Sequence, residues 1–213
     1  MHETPQTPER IPIFKNMPGA VLALTLAIIG TYLVQVFAGA RTENWLFLSG
    51  AVMGGPDFAG FDRPFGDVAP LFLHVFLHGG FFHIAMNMAM LLSLGPIVAM
   101  GLGNGTRAQI GFLVFFFFCA LGGAMGQLLV YDVTGTSGLA IGASSAISGL
   151  LPAVGYLRGG WTEAARFSVP WILINIALAF AGDLFPLPIA WAAHLGGLAA
   201  GFAFPVFLAL IRR

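Results

Sequence analysis

The sequence predicts an all-α membrane protein with six transmembrane helices and a long, interfacial first outer loop. Composition is the first reason: 58% of the residues are hydrophobic and 8% are charged, whereas about a quarter are charged in soluble proteins. The second is the presence of six apolar stretches, each close to the length that a hydrocarbon core about 30 Å thick requires. The third is the connection at residues 39–72, where aromatic residues stand among glycines and prolines, a mixture typical of a membrane interface.

The six apolar stretches are the predicted transmembrane helices. They cover residues 18–38, 73–102, 109–130, 141–157, 169–184 and 189–211. The first stretch is too long for a secretory signal and lacks a small-residue cleavage site, so we expect it to remain as a helix. No internal repeat or second soluble domain is visible. Residues 1–17 are therefore predicted as a short cytoplasmic tail and residues 18–213 as one membrane domain.

Lysine and arginine predict the orientation in the membrane. With the N-terminus inside, seven of the nine basic residues face the cytoplasm, and only Arg41 and Arg63 lie outside. The seven are Arg10, Lys15, Arg107, Arg158, Arg166, Arg212 and Arg213. Because cytoplasmic loops are enriched in these residues, both termini are predicted to be cytoplasmic. The membrane expected is the plasma membrane, the inner membrane in a bacterium.

Charge and cysteine content exclude several classes of function. The net charge is zero and no basic cluster follows a nucleic-acid backbone, so nucleic acid is not an expected partner. The single cysteine, Cys119, lies in an aromatic run. It permits no disulfide framework, and a catalytic thiolate is not expected at that depth.

Polar residues inside the spans are the candidates for function, since each costs free energy in hydrocarbon unless it has a partner. The second span carries His74, His78, His83 and Asn87, the fourth carries Ser144, Ser145 and Ser148, and the sixth carries His194. His83 and Asn87 are four residues apart and are predicted to share a helix face. At a rise of about 1.5 Å per residue, Ser144 lies about 10 Å and His194 roughly 8 Å below the outer surface.

A serine, a histidine in the same layer and nearby side-chain donors are the components of acyl transfer. No aspartate or glutamate is found in spans two, four or six near this layer, so the sequence predicts a Ser–His dyad. Ser144 at a helix start offers its own N–H to an oxyanion. Small residues, including Gly197 and Gly201 at GxxxG spacing, allow the fourth and sixth spans to approach closely.

At these residues the chain resembles the rhomboid family of intramembrane serine proteases. The family pattern HxxxxHxxxN is present as His78, His83 and Asn87, the GxS motif ends at Ser144, and AHxxGxxxG contains His194. Three separated motifs in the family's order make the resemblance specific. It implies a rhomboid-like six-helix bundle, with Ser144 as nucleophile and His194 as general base.

The resemblance also implies His83 and Asn87 as oxyanion donors, His78 as a residue that orders the mouth of the site, and transmembrane proteins as substrates cleaved near their outer end. No cofactor or metal is expected. Two departures are visible: Ser145 replaces the usual glycine, and the first outer loop has no clear Trp–Arg pair around Trp45.

Several structural and functional alternatives accompany this prediction. Ser145 and Ser148 are interpreted as packing residues, and an interfacial position is favoured for His74. A non-proteolytic rhomboid-like binder of membrane proteins is one alternative function. A protein that binds metal or haem through His74, His78, His83 and His194 is the other.

Overall fold

The computed structural model describes residues 17–181 and 189–212, so all but the last residue of the tail predicted at residues 1–17 lies outside the described residues. Those described form eight α-helices and two short strands. They are α1 (Gly19–Phe37), α2 (Ala40–Gly50), β1 (Val52–Gly54), α3 (Pro70–Leu73), α4 (Phe81–Leu102), α5 (Thr106–Thr134), β2 (Gly138–Ala140), α6 (Ser144–Ala181), α7 (Trp191–Gly201) and α8 (Phe204–Ile211).

Most of these helices have the length and apolarity of membrane spans. Within the described residues, α1, α4, α5 and α6 are each long and apolar enough to cross a bilayer. The consecutive helices α7 and α8 pass the same test together, with a bend of 42° between them. The protein is therefore an integral membrane protein, as its composition predicts.

Helix α6 doubles back on itself at Gly159 and Gly160. Neither residue has helical backbone angles, and Gly160 adopts a φ of 70°, which glycine tolerates at little steric cost. The Trp171 indole N–H lies 2.9 Å from the Ser148 hydroxyl, whereas a straight helix would separate the two residues by about 35 Å. Residues 144–158 and 161–181 are thus two adjacent arms, which we call the first and second arms of α6.

The second predicted span is shorter than expected, and the prediction of one helix from residue 73 to residue 102 is wrong at its start. The short helix α3 passes into a 3-10 turn at His74–Phe76. Leu77 is then extended, with φ −94° and ψ 140°, and α4 begins only at Phe81. The two glycines before Phe81 favour this interruption, because glycine is a poor helix former. His74 and His78 consequently precede the helix that carries His83.

The segment between α1 and α4 is tied to the chain that leads into α6. Strand β1 pairs antiparallel with β2, with Val52 opposite Ala140. The Arg63 guanidinium donates hydrogen bonds to the carbonyl oxygens of Ala51, at 3.1 Å, and Met53, at 2.9 Å. Arg63 thus holds β1, although no Trp–Arg pair is recognisable around Trp45 in the sequence.

Helices α5, α6 and α7 pack together through small residues. A Cβ atom at Gly197 would collide with the Ser145 carbonyl oxygen, and one at Gly201 would collide with that of Gly149. Only glycine permits such a close approach of α7 to the first arm of α6. Below this contact, large rings fill the core: Phe112, Phe115, Phe116 and Phe204 are fully buried. The close approach sets the distance between Ser144, at the start of α6, and His194 on α7.

Candidate active site

Ser144 and His194 lie in direct contact. Ser144 is the first residue of α6 and His194 is the fourth residue of α7. The Ser144 Oγ atom lies 2.8 Å from His194 Nε2, a hydrogen-bonding distance for a hydroxyl and an imidazole nitrogen. The imidazole is buried, with 8% of the residue exposed, while the serine is partly exposed. A hydroxyl and an imidazole within hydrogen-bonding reach of each other are thus present in one site.

The turn before α6 presents Ser144 at the helix start. Gly142 has a φ of 111°, and its N–H donates to the His74 carbonyl oxygen at 2.8 Å. A Cβ atom at this position would lie 2.6 Å from His83 Nε2. The first N–H groups of a helix lack intrahelical acceptors. The Ser144 amide therefore makes no hydrogen bond within α6, and it lies beside the Ser144 hydroxyl.

A third polar side chain, Asn175 on the second arm of α6, contacts the other side of the imidazole. Its Oδ1 atom lies 2.7 Å from His194 Nδ1, and its Nδ2 atom donates to the Trp171 carbonyl oxygen at 2.8 Å. With the amide in this orientation, Oδ1 can only accept, so the proton of a neutral His194 ring resides on Nδ1. The lone pair of Nε2 then faces the Ser144 hydroxyl.

Trp171 covers the imidazole and is itself held by a serine. Its ring centroid lies 5.4 Å from that of His194, with the two planes tilted by 38°. The indole N–H donates to Ser148 Oγ at 2.9 Å, and this hydroxyl donates to the Ser144 carbonyl oxygen at 2.6 Å. Ser148 is thus a structural link between the two arms of α6, which agrees with its interpretation as a packing residue.

His83 lies over the turn that carries the serine. The Gly79 N–H donates to His83 Nδ1 at 3.3 Å, so a neutral ring carries its proton on Nε2, the atom closest to Gly142. Asn87, one turn further along α4, donates from Nδ2 to the His83 carbonyl oxygen at 2.8 Å. Its Oδ1 atom is buried without a partner among the described residues. Within that part of the chain no hydrogen bond links Asn87 to Ser144.

His78 is fully buried beside His83. The two ring centroids are 5.0 Å apart, and the ring nitrogens of His78 have no hydrogen-bond partner in the described part of the chain. Its backbone is fixed by Gln35 of α1, which donates to the His78 carbonyl oxygen at 2.7 Å and accepts from the His78 N–H at 3.2 Å. The His78 ring therefore packs against that of His83 and makes no hydrogen bond to Ser144 within the described residues.

His74 is buried within the protein, and the interfacial depth favoured for it stays a prediction. Its Nδ1 atom lies 3.0 Å from the Pro70 carbonyl oxygen, and its Nε2 atom lies 3.0 Å from Ser145 Oγ. The break after residue 76 turns this histidine towards the bundle instead of along a helix face. Ser145, the residue that replaces the usual glycine, thus partners a different histidine from Ser144.

The histidines named in the metal alternative do not gather into a cluster in the part of the chain that the structure describes. Among residues 17–181 and 189–212, no group of three or more His, Cys, Asp or Glu side chains could hold a metal ion. His74 and His194 each direct Nε2 at a serine hydroxyl. His74 and His194 therefore contact serine hydroxyls, whereas the rings of His78 and His83 pack against each other.

Three residues around the site are not among those predicted from the sequence: Asn175, Trp171 and Gln127. Asn175 is fully buried in the predicted fifth span. Gln127 Oε1, on α5, accepts from the Ala193 N–H at 3.2 Å and so fixes the start of α7. Both are polar residues within predicted spans, where each needs a partner, and this is the signal in the sequence that points to them.

Comparison with known proteins places these motifs in one family. A family model described as the Rhomboid domain matches residues 66–211, more than half of the chain. RHOMBOID-like protein 1 of Arabidopsis thaliana is 34% identical over 149 residues, which cover 68% of this chain and 36% of that protein. RHOMBOID-like protein 5 of the same plant is 33% identical over 148 residues, 65% of this chain and 43% of that protein. The matches therefore span less than half the length of these relatives.

Proposed function

This chain belongs to the rhomboid family, and from that premise we propose that it is an intramembrane serine endopeptidase that acts through Ser144 and His194. Members of the family are generally serine proteases. The observation that carries the proposal is the 2.8 Å separation between Ser144 Oγ and His194 Nε2. It supports direct proton transfer from the hydroxyl to the imidazole as the hydroxyl attacks a carbonyl carbon.

The proposed reaction has two stages. In the first, Ser144 Oγ attacks the scissile carbonyl while His194 Nε2 takes the hydroxyl proton; the tetrahedral intermediate collapses to an acyl-enzyme as His194 returns that proton to the leaving amine. In the second, His194 Nε2 takes a proton from a water molecule that attacks the ester, and it returns this proton to Ser144 Oγ as the ester bond breaks and the new carboxyl end is released. The same imidazole serves as base and acid in each stage.

The oxyanion of the tetrahedral intermediate requires donors near the Ser144 turn. We assign this role to the Ser144 amide, to His83 Nε2–H and to the second N–H of the Asn87 amide. The proximity of His83 Nε2 to Gly142 supports its assignment. His78 is assigned to supporting the His83 ring, 5.0 Å away, without touching substrate. Such preorganised donors stabilise charge strongly where water is excluded.

The proposed substrates are transmembrane segments of other membrane proteins. The site lies among apolar helices, so a substrate segment reaches it from the bilayer and has to unwind locally to expose a carbonyl. We infer six crossings, with each arm of α6 as one crossing and α7 with α8 as another. Both termini are then cytoplasmic in a plasma membrane, the inner membrane of a bacterium, and water reaches the site from outside.

The experiment that tests this function compares two neighbouring serines. The purified protein in detergent is incubated with a fluorophosphonate probe and with a model transmembrane substrate. We expect Ser144→Ala to abolish both labelling and cleavage, and Ser145→Ala, which removes the hydroxyl bonded to His74, to keep substantial activity. Full labelling of the Ser144 variant would refute the assignment. A folded native protein that neither labels nor cleaves would indicate the non-proteolytic binder instead.

A further inference from the structure

The general base in this site has a partner on a third segment. Asn175 belongs to the second arm of α6, whereas Ser144 begins the first arm and His194 lies on α7. We propose that Asn175 is a positioning residue that fixes the tautomer and ring orientation of His194, so that the reacting unit is Ser144–His194–Asn175. The inference rests on the proposed function for its consequence in catalysis.

Hydrogen bonding leaves the Asn175 amide one favourable orientation. The side chain is fully buried, where an unpaired amide group is costly. Its nitrogen is 2.8 Å from the Trp171 carbonyl oxygen, which can only accept. Its oxygen is 2.7 Å from His194 Nδ1. Reversing the amide would bring its oxygen against a carbonyl oxygen, so both bonds together define the orientation.

This orientation determines which nitrogen of His194 is basic. An accepting oxygen at Nδ1 favours the tautomer with the proton on Nδ1, and the orientation of a histidine is generally set by the bond that its other nitrogen makes. Nε2 is then unprotonated and 2.8 Å from the Ser144 hydroxyl. In the opposite tautomer, Nε2 would carry a proton and could not accept the one from Ser144.

The environment explains why an amide serves here. A carboxylate in this buried site would carry a large desolvation cost, whereas an amide orients the ring without adding a charge. The Trp171 ring, one helical turn before Asn175, lies against the imidazole with the two ring planes tilted by 38°. Two residues at i and i+4 on one helix face thus restrain the ring from its edge and its face.

Two variants and a matched control test the proposal. Asn175→Leu keeps the approximate volume and removes the acceptor. Asn175→Asp keeps an acceptor oxygen. Ser168→Ala is the control, because Ser168 is also buried on the second arm but donates only to the Ala164 carbonyl oxygen at 2.8 Å. It reports the effect of losing a buried hydrogen bond in the same arm.

The first measurement is the tautomer of His194, read from two-bond ¹⁵N–¹H correlation spectra of histidine-labelled protein in detergent, at a pH where the rings are neutral. The His194 signals are assigned with a His194→Phe sample. We expect the Nδ1–H form in the native protein and in Ser168→Ala, and a shift towards Nε2–H in Asn175→Leu. A native His194 in the Nε2–H form would overturn the proposal, even if no variant folds.

The second measurement is the rate of fluorophosphonate labelling and the kcat and KM for a model substrate. We expect Asn175→Leu to lower the labelling rate and kcat by about 10- to 100-fold, as when an outer partner that orients a histidine is lost, with KM nearly unchanged. Asn175→Asp should recover part of this loss. Native rates in Asn175→Leu, or an equal loss in Ser168→Ala, would contradict the proposal.

The two proposals fail in different ways. If the native protein does not label or cleave, but its His194 tautomer changes in Asn175→Leu, then Asn175 positions the ring and only the protease function is refuted. If the native protein cleaves through Ser144 while Asn175→Leu changes neither tautomer nor rate, only the role of Asn175 is refuted.

Discussion

His83 lies so close to Gly142 that a Cβ atom on Gly142 would be 2.6 Å from the His83 Nε2 atom. Gly142 also has a φ of 111°, which other residues rarely adopt. We therefore predict that Gly142→Ala displaces either His83 or the Ser144 turn and lowers the fluorophosphonate labelling rate by at least about tenfold. The labelling rate is measured by stopping the reaction at successive times and quantifying the labelled protein on a gel.

The matched control for this variant is Gly60→Ala. Gly60 has a comparable positive φ of 74°, but a Cβ atom there would meet nothing within 4 Å. It carries the backbone strain without the collision with His83. Native labelling in Gly60→Ala and slow labelling in Gly142→Ala is the expected pair of results, and native labelling in both would count against the proposed site geometry.

Asn87→Leu removes one proposed oxyanion donor. We expect acylation by the substrate to slow by about 10- to 100-fold, near or below the usual effect of losing one such donor, because the Ser144 amide and His83 remain. Single-turnover cleavage in detergent provides the rate. Thr25→Val is the control, since Thr25 is buried and, like Asn87, donates to the carbonyl oxygen four residues earlier. An equal slowing in both variants would mean that Asn87 acts only in folding.

Gly197→Ala tests the close approach of α7 to α6. The added methyl group would collide with the Ser145 carbonyl oxygen, so α7 has to shift away, and we expect a loss of about 1–3 kcal/mol in the free energy of unfolding. Because His194 lies on the same helix, the labelling rate should fall too. Gly30→Ala on α1 is the control, since its Cβ would meet nothing within 4 Å. Thermal unfolding in detergent distinguishes the two, and equal melting temperatures would exclude this contact as a determinant of stability.

Arg63→Met tests the restraint on the segment between α1 and α4. It removes two hydrogen bonds to the carbonyl oxygens of Ala51 and Met53, and we expect a destabilisation of about 1–3 kcal/mol with faster proteolysis of this segment. The exposed Arg41 gives the control Arg41→Met. Limited proteolysis followed by mass spectrometry locates the cuts. Identical cutting of both variants would show that Arg63 does not hold the loop.

Much of the fold can be predicted from the apolar stretches and from the proline and glycine residues at their ends. The first predicted span, residues 18–38, differs from α1 by one residue at each end, because a long apolar run between Pro18 and the chain turn at Gly39 is unambiguous. The predicted second span is too long, since hydropathy does not detect the loss of helical backbone at residues 77–80. The count of apolar residues is the same whether that segment is helical or extended.

Composition and motifs at fixed spacings were enough to identify a membrane protein and its family, and they predict the residues that we propose for acyl transfer. Which histidine meets which serine depends on the tertiary packing. Adjacent residues on a helix point about 100° apart, so Ser144 and Ser145 face different neighbours, His194 and His74. Asn175 reaches His194 only because the second arm of α6 packs beside α7. Local sequence patterns predict single helices, and they do not predict which faces of two helices come into contact.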